Sequence, residues 1–171
     1  FCMFSFFKKK QPFSVRIKEY DSVRLIAGME ITTCRKSMKK DVSQLQKKVQ
    51  QHQSELRELS NPSGTMVIST TPDETGNFSY FLGAWVDIEE QEPPFIVKKL
   101  QPGLYAHIQV DFSVPENLTL NVAKAIHYFF EKWLPDSGYK VVDGIDSIEL
   151  YDRRSQIGLP SIDLIFPLEK K

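Results

Sequence analysis

Residues 95–112, FIVKKLQPGLYAHIQVDF, decide the fold. Phe95–Leu100 and Leu104–Phe112 read as two strands, and Gln101-Pro102-Gly103 between them as a turn. The pair restarts a pattern met earlier in the chain. In Phe13–Asp21 (FSVRIKEYD), Phe13, Val15 and Ile17 alternate with Ser14, Arg16 and Lys18, as in a half-buried strand. Ser22–Thr32 (SVRLIAGMEIT) follows as a second strand, with Gly28 marking a bulge or a close backbone approach. Phe13-x-Val15 even has a counterpart in Phe95-x-Val97, at a period too long for a solenoid.

A helix follows each strand pair. Ser37 can cap the first, whose apolar stripe runs Val42, Leu45, Val49, Leu56 and Leu59 with His52 in the missing place; Asn61-Pro62-Ser63-Gly64 stops it. The second, Asn117–Leu134, gathers Leu118, Val122, Ala125, Ile126, Phe129, Phe130, Trp133 and Leu134 on one broad face and stops at Pro135-Asp136-Ser137-Gly138. Thr65–Thr71 and Phe78–Ile88 are strands joined by a hairpin loop at 72–77, and Ser147–Arg153 and Ser161–Leu168 close the chain. The acidic, proline-bearing stretch EEQEPP, 89–94, is the internal boundary.

The fold expected is therefore α+β: tandem duplicated strand–helix–strand–strand units forming an antiparallel sheet, with two helices on one face and a concave ligand pocket on the other. Residues 1–12 form an N-terminal arm, and 13–171 a single domain with pseudo-repeats 13–90 and 94–168. A chain of 171 residues is one domain's worth.

Composition narrows the function. Lys and Arg total 22 and Asp and Glu total 22, so the net charge is zero and binding of nucleic acid by bulk charge is not expected of this chain alone. Twelve Phe, six Tyr and two Trp suit either an aromatic-lined cavity or a Phe-rich core. Cys2 and Cys34 show no metal or redox spacing and read as free thiols of a reducing, cytoplasmic compartment. No apolar run spans a bilayer; Phe1–Phe7 followed by three lysines is too short and is not ordered like a signal peptide. That start is a packing or fraying arm, a membrane-surface contact, or the stump of a longer chain. No phosphate loop, dinucleotide fingerprint, HExxH, GxSxG or CxxC occurs, so neither a cofactor nor a metal is expected.

Strand parity supplies the site candidates. In LYAHIQV, Ala106, Ile108 and Val110 share the face expected under the helices, which turns Tyr105, His107 and Gln109 to the concave side. In SIELYDR, Ile148 and Leu150 take one face and Glu149 and Tyr151 the other. A carboxylate there suits either an open pocket or an ordinary solvated strand surface. Phe78 and Tyr80 share one parity, Phe81 and Trp85 the other; both are apolar, so parity alone does not choose between them. Trp133 lies in the core or at a pocket rim, with the core the better fit. His52 is placed at a buried helix edge and His127 on the surface.

With these pieces in place the chain resembles the GyrI-like, or bacterial effector-binding, small-molecule-binding domain, found alone or fused to DNA-binding modules. The matching pieces, from Phe13 to the end, are VRIKEYDSVRLIAGMEI, FSYFLGAWV, LQPGLYAHIQV, WLPDSGYKVVDGIDSIELYDRR and SIDLIFPL. The resemblance implies a paired-unit fold around an aromatic pocket whose glutamate, here Glu149, pairs with lipophilic cations. Tyr151, Tyr80 and Tyr105 match aromatic positions of the pattern. It also implies a partner that is a lipophilic cationic or aromatic small molecule. Some stand-alone members look like hydrolases that open cyclopropane-containing toxins with that glutamate, which would make Glu149 a general base. A third possibility is a protein-interaction inhibitor of a larger enzyme. The chain departs from the regulators in having no helix-turn-helix, and its Phe-rich start has no family counterpart.

Overall fold

The computed structural model describes residues 11–60, 64–143, 147–156, 158 and 160–171. The two alternating runs at the start form β1 (Ser14–Tyr20) and β2 (Arg24–Cys34), and α1 (Met38–His52) follows. Next come β3 (Thr65–Ser69), β4 (Asn77–Val86), β5 (Ile96–Leu100) and β6 (Gly103–Asp111). Helix α2 (Pro115–Tyr128) leads to the short β7 (Tyr139–Val141), then β8 (Ser147–Tyr151) and β9 (Ser161–Lys170). All nine strands belong to one open antiparallel sheet in the order β1-β6-β9-β8-β3-β4-β2-β5, with β7 added to β9.

The pairing repeats itself. β2, β4 and β3 lie side by side, as do β6, β9 and β8, and each half sends its first strand to the other half: β1 pairs with β6, β5 with β2. The halves meet at β3 and β8, where Val67 lies opposite Glu149. Val67 also faces Leu82 across β3–β4, just as Glu149 faces Leu164 across β8–β9. The carboxylate thus stands in the second half where the first half has a valine.

Both helices pack on the same face of the sheet, as expected. Against β6 and β9, α2 closes a cluster of Ala106, Ile108, Val110, Leu164 and Phe166 around Ala125 and Phe129. Leu45 of α1 packs with Met29, Val67, Tyr80 and Leu82. The end of α2 widens into a π-helical turn, 129–133, in which the Leu134 N–H reaches Phe129 O at 2.8 Å. That turn stacks Phe129 on both Phe166 (4.8 Å) and Trp133 (5.3 Å).

The opposite face is where the structure corrects the sequence reading. Among the described residues, Phe81, Tyr105 and His107 are buried there rather than open to one shared pocket. Tyr20, Ile26, Met66, Ile68, Phe81, Leu100, Tyr105, Ile148 and Ile165 bury one another there. The curled sheet fills its concave side with its own side chains.

Smaller differences have local causes. The first helix ends at His52 and gives way to a single 3-10 turn, 53–55. Leu59 leaves the helical stripe and bridges to Val86 instead, just after Glu58 adopts a left-handed φ of 49°. Ser37 holds the N-cap position, but its hydroxyl lies beside Thr33 and Cys34 rather than on the helix N–H groups. Gly28 marks a close approach, not a bulge: it sits opposite Gly83, and a Cβ on either would overlap the facing backbone. Cys34 is a free thiol, whereas Cys2 and the N-terminal stretch 1–10 lie outside the described residues.

Candidate functional site

Antiparallel register carries side-chain direction from strand to strand. Leu164 pairs with both Ile108 and Glu149, so Glu149 shares the face of Ile108, under the helices. The same register places Tyr151, Thr65, Val67, Leu82 and Tyr80 on that face. Glu149 and Tyr151 therefore lie on the helical side, and Tyr105 and His107 on the reverse side. The expectation that the four share one pocket fails because parity was matched separately in β6 and β8, whose relative registers are set by β9.

On the helical side a cavity of about 440 Å³ opens between α1 and strands β3, β4 and β8. Ala27, Leu82, Ala84 and Thr65 supply its sheet wall, and Val49 and Leu56 its apolar flank. Tyr151 forms part of the lining and is packed against both helical clusters. The segment Asp152–Gln156 closes one side through Asp152, Arg153, Ser155 and Gln156, facing Gln46, Gln50 and Gln53 of α1 and its following turn. These three glutamines, at i, i+4 and i+7, share a helix face, and this spacing is the sequence signal that would have marked the wall.

Glu149 sits beside the lining rather than in it. The Tyr151 hydroxyl donates to its Oε2 at 2.7 Å. Burial pushes the Glu149 carboxyl above the ordinary carboxylate range, and the Tyr151 bond only partly opposes this. Burial, reinforced by the neighbouring carboxylate, raises the Tyr151 phenol and takes Tyr80 up to about 12. Among the described residues no Lys or Arg pairs with Glu149. A half-buried, desolvated carboxylate whose hydrogen bond comes from a neutral phenol still favours a cation.

The remaining candidates belong to the reverse side or to the core. Phe81 is fully buried and Trp85 packs on the same cluster. Tyr105 stacks on Tyr20 at 4.4 Å and donates to Gln101 O at 2.6 Å. Trp133, between Phe129 and Tyr139, packs on the α2 core, as the better of its two readings required. His107 accepts from the Tyr20 hydroxyl through Nε2 (3.0 Å) and donates from Nδ1 to Asp163 (3.2 Å). Burial, against the pull of Asp163, lowers the His107 pKa and keeps the ring neutral. Asp163, fully buried, also receives Arg154 Nη1 at 2.9 Å and Arg16 Nη2 at 3.5 Å. Burial raises its pKa, yet the bonds from His107 and Arg154 outweigh burial and hold it well below the usual carboxylate range. No group of His, Cys, Asp and Glu among the described residues is arranged to hold a metal.

An antiparallel sheet with two helices and a cavity on one face defines an α+β domain, and comparison with known proteins gives its family. The family model described as Cass2, integron-associated effector binding protein, matches residues 16–168; the chain belongs to that family. Solved structures agree on the fold. SAV2435 bound to tetraphenylphosphonium superposes with a TM-score of 0.68 at 14% identity, covering 91% of this chain and 94% of that one. The C-terminal domain of EcmrR gives 0.65 at 14%, covering 94% and 99%. An integron cassette protein from the mobile metagenome of Vibrio cholerae gives 0.58 at 11%, covering 92% and 97%. No curated protein sequence matches. No helix among the described residues is long and apolar enough to cross a membrane.

Proposed function

We propose that this protein binds hydrophobic, cationic aromatic small molecules in the cavity beneath α1, with Glu149 as counter-ion and Tyr151 as the aromatic wall. The observation that carries the reading is Glu149 itself: a half-buried carboxylate next to a cavity of mixed apolar and polar lining, hydrogen-bonded by a phenol and paired with no cation among the described residues. Membership of an effector-binding family supports it, as does the tetraphenylphosphonium bound to the similarly folded SAV2435. The apolar wall would take up the ligand's rings, and a cation over a tyrosine face adds roughly 0.5–2 kcal/mol. Ionised Glu149 would then gain the partner that burial denies it.

The test is fluorescence titration with a lipophilic cationic dye. Glu149→Gln keeps the side chain's shape and removes its charge, and affinity should fall at least about tenfold, in line with the loss of a buried charge pair. Equal affinities of wild type and variant would remove Glu149 from the site.

A further inference from the structure

Two arginines follow each other in the segment that walls the cavity, and they are used differently. Arg154 is consumed by structure. Its Nε and Nη2 clamp Asp152 at 2.8–3.1 Å, and its Nη1 reaches through to buried Asp163 at 2.9 Å. Asp152 in turn accepts from the Arg154 backbone N–H (2.9 Å), and its carbonyl accepts from Ser155 Oγ (2.7 Å). The turn is thereby fastened to the sheet, and its direction is set. Arg153 lies between these anchors, is exposed, and lines the cavity. Among the described residues no carboxylate pairs with it.

The charge balance of the cavity follows. Asp152, the one acid in the lining, is neutralised by Arg154, which leaves Arg153 as the lining's uncompensated charge. Across from it stand Gln46, Gln50 and Gln53, amides that can donate or accept. The lining thus combines an apolar part that includes Val49, Leu56 and Leu82, a tyrosine, Tyr151, that holds Glu149, and a polar part in which Arg153 carries the positive charge.

We propose that the cavity selects zwitterionic amphiphiles: an aromatic body carrying a cation toward Glu149 and a carboxylate or similar anion toward Arg153. This deepens the function proposed above, and its cationic half rests on that reading. A purely lipophilic cation would satisfy only Glu149 and would meet Arg153 as a like charge.

A matched pair of xanthylium dyes tests the idea: one skeleton as its ethyl ester, a net cation, and as its free carboxylic acid, a zwitterion. Titrated at low ionic strength against the full chain, the acid should bind about fivefold tighter, the scale of a partly exposed charge-assisted pair. Added salt should shrink that preference. Arg153→Gln should erase the preference, lowering the acid's affinity and slightly raising the ester's because the like charge is gone, and Arg153→Lys should restore part of it. Arg154→Gln should weaken both dyes together, because the whole turn loses its anchor. Equal binding of ester and acid to wild type, or a preference that survives Arg153→Gln, overturns the proposal. If neither dye binds, it falls together with the reading on which it rests. If Glu149→Gln leaves both dyes unaffected while Arg153→Gln removes the preference, Arg153 stands as the anion partner and the cationic half fails.

Discussion

Glu149 and Asp163 lie on adjacent strands, one residue out of register, and point to opposite faces of the same sheet. Both carboxylates are desolvated, which raises the pKa of each, yet only that of Glu149 stays raised while that of Asp163 is depressed. The difference lies in the partners. Asp163 is met by His107, Arg154 and Arg16 and is closed into a reverse-side network that ends at Tyr20, whose own phenol burial pushes up to about 12. Glu149 is met by one neutral phenol. A buried acid with a full set of donors is part of the framework, whereas one left short of positive charge next to a cavity is a candidate partner for a ligand, the role proposed above for Glu149.

The comparison can be broken most directly at Asp163. Asp163→Asn should destabilise the fold by about 3 kcal/mol, because it strips Arg154 and His107 of their buried partner. Urea unfolding at neutral pH measures it, and a loss indistinguishable from zero would make the network ornamental. The variant should also be less acid-sensitive than wild type. The depressed Asp163 pKa contributes stability that is present above the ordinary carboxylate range and is lost as pH falls through and below it.

Glu149→Gln should behave in the opposite sense. A group whose folded pKa is raised favours the fold most at low pH and loses that contribution as pH rises through the folded pKa. At neutral pH the variant should therefore match or exceed wild-type stability while losing dye affinity. A clear drop in its unfolding free energy would return Glu149 to the framework class.

Proton titration sharpens the same point. Cation binding needs Glu149 ionised, so dye affinity should decline on acidification with a midpoint above the usual carboxylate value. Tyr151→Phe removes the bond that favours the ionised form and should move that midpoint higher still. Binding measured across a pH series in both proteins decides it; a midpoint that stays put in the variant would uncouple the phenol from the acid.

The smallest effect belongs to Tyr20→Phe. It deletes the hydroxyl that donates to His107 but keeps the ring stacked on Tyr105, and should cost about 1 kcal/mol with no change in dye affinity. An affinity change there would show that the reverse-side network communicates with the cavity.

Alternation within each strand, the helical stripes and the turn residues made the α+β class, the two helices and nearly every strand legible before any coordinates. Glu149 and Tyr151 were legible as a pair because residues two apart on a strand share a face. The sequence by itself could not say which face. A period of two sorts each strand's side chains into two sets; in β4 both sets are largely apolar, and in β8 the set with Glu149 suits either a solvated face or a cavity, so nothing local names the side on which the helices pack. Only the register through β9 decided it, since Leu164 opposite both Ile108 and Glu149 binds the parity of β8 to that of β6. The same holds for Arg153 and Arg154. Adjacent and chemically identical in sequence, they part only when the folded sheet brings Asp163, nine residues beyond Arg154, within hydrogen-bond reach of one of them.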